Sequence, residues 1–433
     1  MDLRRAFIFV LVVLFWILIG VFGGPVIFLV APFTWYLWLR KENYEELFIG
    51  FIVTLILSDS LEPALIFAGN LKTIYILFLG LLVVSNRSII GVKFQIFASF
   101  LPYLLVALLC LIWSPSMLPG IQKTVSYGLL LFIGPTLANY LYGTRKTFLK
   151  SFNYLIGSIL LLSLILYFIL PEVGSSHGFR MRGIFGNPNG LGLFIIVSFL
   201  FYQFTMWQRP SLLSRYERYG LLTLLGLATL YSGSRNALLS ILLFYVFEFA
   251  FKNFKYLGMI VSIFIVIALN FVTANAVEII HALSLEEFFR VETLAEGSGR
   301  LIAWRFAWEN IQESFYLGRG IGFDEYLMRS NAFYLSKLGH EGGVHNTYLI
   351  IWLNTGIIGL LLFLGSLIYL FIKASANSLF AFPFLFTVLF SISFEPWLAA
   401  SLNPYTIVFL ITLTGILIPK SVFEISNEEM ELS

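Results

Sequence analysis

The chain has 433 residues, of which 59% are hydrophobic and 12% charged, with a net charge of +3 and a mean hydropathy of +0.89. A soluble domain keeps about a quarter of its residues charged, so a soluble globular fold is excluded. Apolar runs of membrane-crossing length recur from end to end, and period-two alternation is absent, which excludes a β-barrel in favour of a polytopic α-helical protein.

In chain order, the apolar segments predict helices near 7–22, 25–39, 46–57, 71–85, 95–113, 121–142 and 152–170. Others follow near 189–206, 218–231, 236–251, 256–273, 345–372, 378–394 and 403–419. The fold class is therefore an all-α integral membrane protein of about 12–14 transmembrane helices, with twelve if short pairs are re-entrant. One long extracytoplasmic loop carries amphipathic helices. The parts are N-terminal transmembrane helices in 1–273, the loop in 274–344, C-terminal transmembrane helices in 345–420 and a cytoplasmic tail in 421–433. The start resembles a signal peptide, with Arg4 and Arg5 before an apolar stretch, but it lacks a small-x-small cleavage site and reads as an uncleaved first helix. The single cysteine, Cys110, excludes an intramolecular disulfide and a Cys-based zinc site.

Placing the N-terminus in the cytoplasm puts sixteen of the 27 Lys and Arg residues inside, while Lys72, Lys123, Arg180, Arg182 and Arg235 stay in short outer connections. That asymmetry follows the positive-inside rule and puts both termini in the cytoplasm. All four histidines (His177, His281, His340, His345) then face the envelope, which marks it as the working side. Intramembrane carboxylates are scarce, and no inverted hydropathy repeat is visible. Both features argue against a coupled transporter or lipid-glycan flippase.

Three arginine segments face outward against that charge bias. They are Arg180-Met181-Arg182 before Gly186-Asn187-Pro188-Asn189, then Ser232-Gly233-Ser234-Arg235, and Gly297-Ser298-Gly299-Arg300. Each sets Arg beside Gly, Ser or Asn at a helix start, where free N–H groups and the helix dipole attract anions. Guanidinium adds bidentate donors suited to phosphate oxygens. Together they predict a diphosphate clamp, although Arg180 and Arg182 would equally suit outer-leaflet lipid phosphates. The loop is net acidic, so an arginine binding phosphate there must be positioned individually. Arg300, Trp304, Trp308 and Ile311 share one face at helical spacing. The tryptophans fit an interfacial anchor, a sugar-stacking surface or a polyprenyl contact.

His345-Asn346 stands where the polar loop re-enters an apolar helix, nine residues before Gly356-Ile357-Ile358-Gly359. A histidine there reads as a helix cap or as a general base, since imidazole titrates near neutrality, at roughly 6.5, without tuning. Asn346 can orient a hydroxyl, and Gly356 and Gly359 permit tight packing of the helix that follows.

The segment from His345 to Gly359 resembles the His-Asn-x9-Gly-x-x-Gly signature of the O-antigen ligase/polymerase superfamily of bacterial envelope glycosyltransferases. Ser232-Gly233-Ser234-Arg235, Ser298-Gly299-Arg300 with Trp304, Leu317-Gly318-Arg319-Gly320-Ile321-Gly322 and the Gly186–Asn189 turn extend the resemblance over about residues 175–372. It implies a metal-independent transferase, with no cofactor, using an undecaprenyl-diphosphate-linked glycan as donor. His345 would be the base, and Arg235 and Arg300 with Arg180 or Arg182 would hold the diphosphate. Asn346, Trp304 and Arg319 would contact acceptor or glycan. The acceptor would be lipid A-core (a ligase), a second lipid-linked repeat (a polymerase) or a protein hydroxyl; no nucleic acid is expected. Many relatives carry Glu where Asn354 stands, so the role of that carboxylate is missing or moved.

Overall fold

The computed structural model describes residues 3–145, 147–274, 298–399 and 402–420. His281, Gly297, the acidic residues of the early loop and the expected cytoplasmic tail lie outside the described residues. The chain opens with α1 (Leu3–Phe22), α2 (Ile27–Arg40), α3 (Tyr44–Asp59), α4 (Ile66–Ser85) and the one-turn α5 (Arg87–Ile90). Next come α6 (Gln95–Cys110), α7 (Met117–Thr144), α8 (Phe148–Ile169) and the short α9 (Pro171–Gly174). A small antiparallel ribbon of β1 (Ser175–Ser176) and β2 (Arg180–Met181) precedes α10 (Pro188–Gln208), α11 (Arg215–Ser232), α12 (Arg235–Asn253) and α13 (Lys255–Ala274). The loop contributes α14 (Ser298–Glu313), α15 (Phe323–Ser330) and α16 (Ala332–Lys337), and the chain returns through α17 (Thr347–Ser375), α18 (Ala381–Ser391) and α19 (Pro404–Leu417).

The protein is an all-α integral membrane protein, and a helix stands at each expected span. Among the described residues, eight helices are long and apolar enough to cross a membrane by themselves. The shorter α3, α18 and α19 are buried along nearly their whole length. Surrounded by other helices rather than lipid, they do not each need a full lipid-spanning length. α10 is the central helix, apolar and enclosed on all sides, whereas α1 lies at the periphery.

Successive helix ends alternate between two faces. On one, Asp59 meets Tyr405, Glu62 meets Arg182, Lys72 donates to the Leu402 carbonyl and Trp113 to that of Gly318. On the other, Arg5 pairs with Glu46, Arg145 donates to the Glu42 carbonyl and Asn377 to that of Leu417. The candidate residues all belong to the first face. Four helices start there with a side-chain cap: Asn187, Ser234, Asn346 and Asn403 each accept from a backbone N–H three residues on.

The helix after His345 is not continuous. Gly356 adopts φ 68° and ψ −177°, breaking α17. Loop residues 315–320 run through the break: Ile357 N–H donates to Phe315 O, and Arg319 and Gly320 N–H donate to the carbonyls of Leu353 and Asn354. These bonds satisfy backbone groups that an interrupted membrane helix would otherwise leave bare. A Cβ on Gly356 would lie 2.2 Å from Tyr316 O, and one on Gly318 would lie 2.3 Å from the Asn354 carbonyl carbon. The tight approach that Gly356 permits is thus to loop residues 315–320, at a break in the helix.

A separate apolar cluster seats the loop on this helix. Ala303, Ala307 and Ile311 of α14 join Phe323, Leu327, Met328 and Leu335 against Val344, Ile350 and Leu353. The loop is thus fixed to the first turns of the helix that His345 precedes.

Candidate functional site

His345 is held with φ 50°, in the left-handed region that a non-glycine residue occupies at a cost of about 1–3 kcal/mol. Its neighbours impose this conformation. Asn346 caps α17 through Leu349 N–H, while Thr347 donates its N–H to Ile392 O and its hydroxyl to Glu395 O. Trp304 donates to Val344 O, 2.9 Å away, and lies against Phe394. The backbone on either side of His345 is therefore fixed, at Val344 by α14 and at Thr347 by the α18–α19 connection.

The carboxylate of Glu395 organises what surrounds the imidazole. Glu395 is 6% exposed. Its Oε2 lies 3.3 Å from His345 Nδ1 and its Oε1 accepts from Arg300 Nη2 at 2.7 Å. A buried carboxylate needs such partners, because an unpaired one would carry a desolvation penalty of several kcal/mol. With an Nδ1 proton directed at Glu395, the His345 lone pair is left on Nε2.

Arg180 brings the second arginine segment to the same place. Its Nε donates to Ser232 O at 2.9 Å and its Nη2 to Gly233 O and Asn189 Oδ1. Gly233, at φ 56°, ends α11 in the left-handed conformation, and a Cβ there would stand 3.2 Å from Arg180 Nε. Ser234 then caps α12, whose first residue is Arg235. Burial lowers the Arg180 pKa, and the positive charges of Arg235 and Arg300 push it in the same direction. Three guanidinium groups therefore act on one another here. Among the described residues, Arg180 and Arg235 have no carboxylate partner.

The turn below is fixed from inside the bundle. Tyr405 donates to Asp59 at 2.6 Å, and Asp59 faces the Gly186 N–H. Asn187 caps α10 and Pro188 opens it, the pairing that suits a helix start. This explains Gly186-Asn187-Pro188-Asn189 as the support of Arg180.

Arg180, Arg235, Arg300 and His345 are thus brought together. Arg182 is not: its guanidinium pairs with Glu62 and donates to Val173 O. Arg319 pairs with Glu313 at 2.9 Å and lies over the Phe323 ring. Asn346 spends its side-chain oxygen as a cap, and Trp304 and Trp308 pack against protein, Trp308 edge-on to Trp352. Sequence reasoning missed Glu395, although a signal existed. It is the only Asp or Glu between Glu341 and Glu424, placed just after an apolar run and before Pro396. Glu395 in the α18–α19 connection is enclosed, as are Glu45 and Glu46 in the first turn of α3.

The carboxylate missing at Asn354 has a neighbour. Asn354 Nδ2 donates to Asp324 Oδ1 at 2.9 Å, and its Oδ1 accepts from Asp324 N–H at 3.1 Å. Burial pushes the Asp324 pKa up, and the Asn354 hydrogen bond opposes that shift.

Fold and site together define a multi-pass membrane protein with a histidine–glutamate pair opening onto a cluster of arginines. The family model described as O-Antigen ligase matches residues 220–364. The match covers about a third of the chain and supports its resemblance to the O-antigen ligase/polymerase superfamily of membrane glycosyltransferase-like enzymes. Arg235, Arg300 and His345 fall inside the match; Arg180 and Glu395 fall outside it. No curated protein matches the sequence.

Proposed function

We propose that the protein is an O-antigen ligase-like glycosyltransferase that moves an undecaprenyl-diphosphate-linked glycan onto an acceptor hydroxyl, with lipid A-core as acceptor, at the periplasmic face of the inner membrane. The observation that carries this reading is Glu395 bridging His345 and Arg300, which joins a candidate base to a candidate anion site. His345 Nε2 takes the hydroxyl proton as the acceptor oxygen attacks the anomeric carbon. The bond from that carbon to the diphosphate oxygen breaks, and undecaprenyl diphosphate leaves. Glu395 holds the imidazole in the required tautomer and stabilises the imidazolium that forms. Arg180, Arg235 and Arg300 offset the charge developing on the leaving group, as preorganised donors do in other transfer sites. The step forms and breaks one bond to the anomeric carbon and calls for no covalent intermediate.

A polymerase, using a second lipid-linked repeat as acceptor, would use the same residues. Reconstitution with an undecaprenyl-diphosphate-linked oligosaccharide, with and without lipid A-core, separates the two. Transfer to core supports the ligase, and a ladder built on the donor supports the polymerase. Movement of labelled lipid with no new glycosidic bond would point to a flippase and sink the proposal. So would full activity in His345→Ala.

A further inference from the structure

The three arginines of the site are not held alike. Arg180 is fixed through its side chain, by the carbonyls of Ser232 and Gly233 and the Asn189 amide oxygen, and Arg300 by the Glu395 carboxylate. Arg235 is exposed, and its guanidinium has no hydrogen-bond or carboxylate partner among the described residues. Its backbone therefore decides where that charge stands. Arg235 is the first residue of α12, so its place follows from how α12 is seated.

α12 packs on α18 and the residues after it through an apolar seam of Leu243, Phe247, Phe251, Phe386, Phe390 and Phe394. Such contacts are non-directional and set register weakly, whereas a polar side chain between membrane helices bonds in one arrangement. Asn236 is that side chain, at the end of the seam beside Arg235. Its Nδ2 donates to Ser391 O at 3.3 Å and stands 3.5 Å from Ser391 Oγ, while its Oδ1 accepts from Ser240. Ser391 is fully buried, and its Oγ also accepts from Trp397 Nε1 at 3.2 Å. Trp397 in turn offers its carbonyl to Asn403 Nδ2 and Thr406 Oγ1, at the start of α19. Between Ser391 and Trp397 lie Ile392 O and Glu395 O, both bonded by Thr347. Residues 391–397 are thus a common frame. They carry the carboxylate that meets Arg300 and His345, and through Asn236 they also hold the start of α12.

We propose that Asn236 is a positioning residue for the transfer reaction: its bond to Ser391 fixes the start of α12 against the Glu395 connection and so places the guanidinium of Arg235 within the arginine cluster. The inference rests on the diphosphate reading of that cluster. It adds a residue that touches no substrate, since both ends of its amide are engaged within the fold.

The test titrates inorganic pyrophosphate into the full chain in lipid nanodiscs by calorimetry, alongside transfer assays. Arg235→Ala is expected to weaken binding about tenfold, as loss of a charge-assisted donor does. Asn236→Ala should weaken it by a similar factor, because a displacement of about 1 Å at a binding group is enough. The double variant should bind no worse than Arg235→Ala alone, since Asn236 acts through that guanidinium. Losses that multiply would show a merely structural role and overturn the inference, as would native affinity in Asn236→Ala. Phe247→Leu loosens the same seam and should lower the melting temperature without weakening pyrophosphate binding; an equal loss of affinity there would assign the effect to packing and overturn the inference. Asn236→Ser, too short to reach Ser391, repeats the cycle if the alanine variant does not fold. A native chain that does not bind pyrophosphate removes the anion site and the inference with it. Coupling of Arg235 and Asn236 in pyrophosphate binding, without any transfer by the native chain, would refute the reaction and leave the positioning in place. Transfer by the native chain with no such coupling would refute the positioning alone.

Discussion

Two groups of arginines share one face of this molecule, and their carboxylate partners separate them. Arg182 pairs with Glu62 and Arg319 with Glu313, so each charge is already balanced within the fold. Arg180 is anchored only by carbonyl and amide oxygens, and Arg300 shares the single carboxylate of Glu395 with His345. Arg180 and Arg182 lie two residues apart, yet one joins the cluster and the other fastens β2 to the connection between α3 and α4. Residue type and position against the charge bias are therefore insufficient to assign a role. What distinguishes the first group is positive charge in excess of its carboxylates, with Arg180 held by uncharged oxygens and Arg300 sharing Glu395 with His345, an arrangement that an anionic ligand would complete.

The strongest test of that division is at the shared carboxylate. His345→Ala and Arg300→Ala should each slow transfer by about 10²–10³-fold, the range for losing a base or a charge-stabilising donor. Because both groups use Glu395, the double variant should lose much less than the product of the single losses. Strict additivity in measured kcat would mean that they act separately. The next largest contrast is between the neighbours. Arg180→Ala should reduce turnover about a hundredfold with little change in melting temperature. Arg182→Ala should leave turnover nearly intact and destabilise the protein by about 1–2 kcal/mol through loss of a partly buried pair. Reversed phenotypes would exchange their assignments.

Much of this arrangement was legible in the sequence. Apolar length marked the spans, and the Gly/Ser/Asn turns marked the helix starts beside Arg235, Arg300 and His345, whereas Arg180 lies on β2, ahead of the Gly186–Asn189 turn that opens α10. Glu395 was missed because it comes close in space through the packing of α18 against α17, fifty residues from His345 in sequence. The spacing of Trp304 likewise does not reveal that its N–H meets Val344 O. Gly356 was read as packing because periodicity across the break is undisturbed, while the strand that crosses it comes from residues 315–320.

The Asn354–Asp324 pair offers a smaller test, at the inner edge of the loop. Asn354→Glu would set a second carboxylate against Asp324. It should destabilise the protein by about 1–3 kcal/mol, through like-charge contact and loss of the donated amide bond. Adding Asp324→Asn exchanges the two groups and should recover most of that loss. If Asn354→Glu alone is neutral in thermal unfolding, the two positions are not equivalent holders of one carboxylate.

The smallest expected effect concerns the loop rather than the arginines, and it tests whether the wall beside His345 is held by a neutral group. His340 has a lowered folded-state pKa, with burial as the main cause and the charge of His345 second. In the unfolded chain it titrates near its ordinary value of about 6.5. The unfolded form therefore binds the proton first on acidification, and stability is lost as pH falls below that value through the folded pKa. At neutral pH and above, His340 is uncharged in both states and contributes no pH dependence. Limited proteolysis of residues 331–343 should accelerate between pH 7 and pH 5, and His340→Gln should flatten that dependence. The same acceleration in the variant would move its origin to another group, with His345 and Glu341 the nearest titratable neighbours. The arginine cluster, whose groups stay charged throughout this range, should hold its geometry in both proteins.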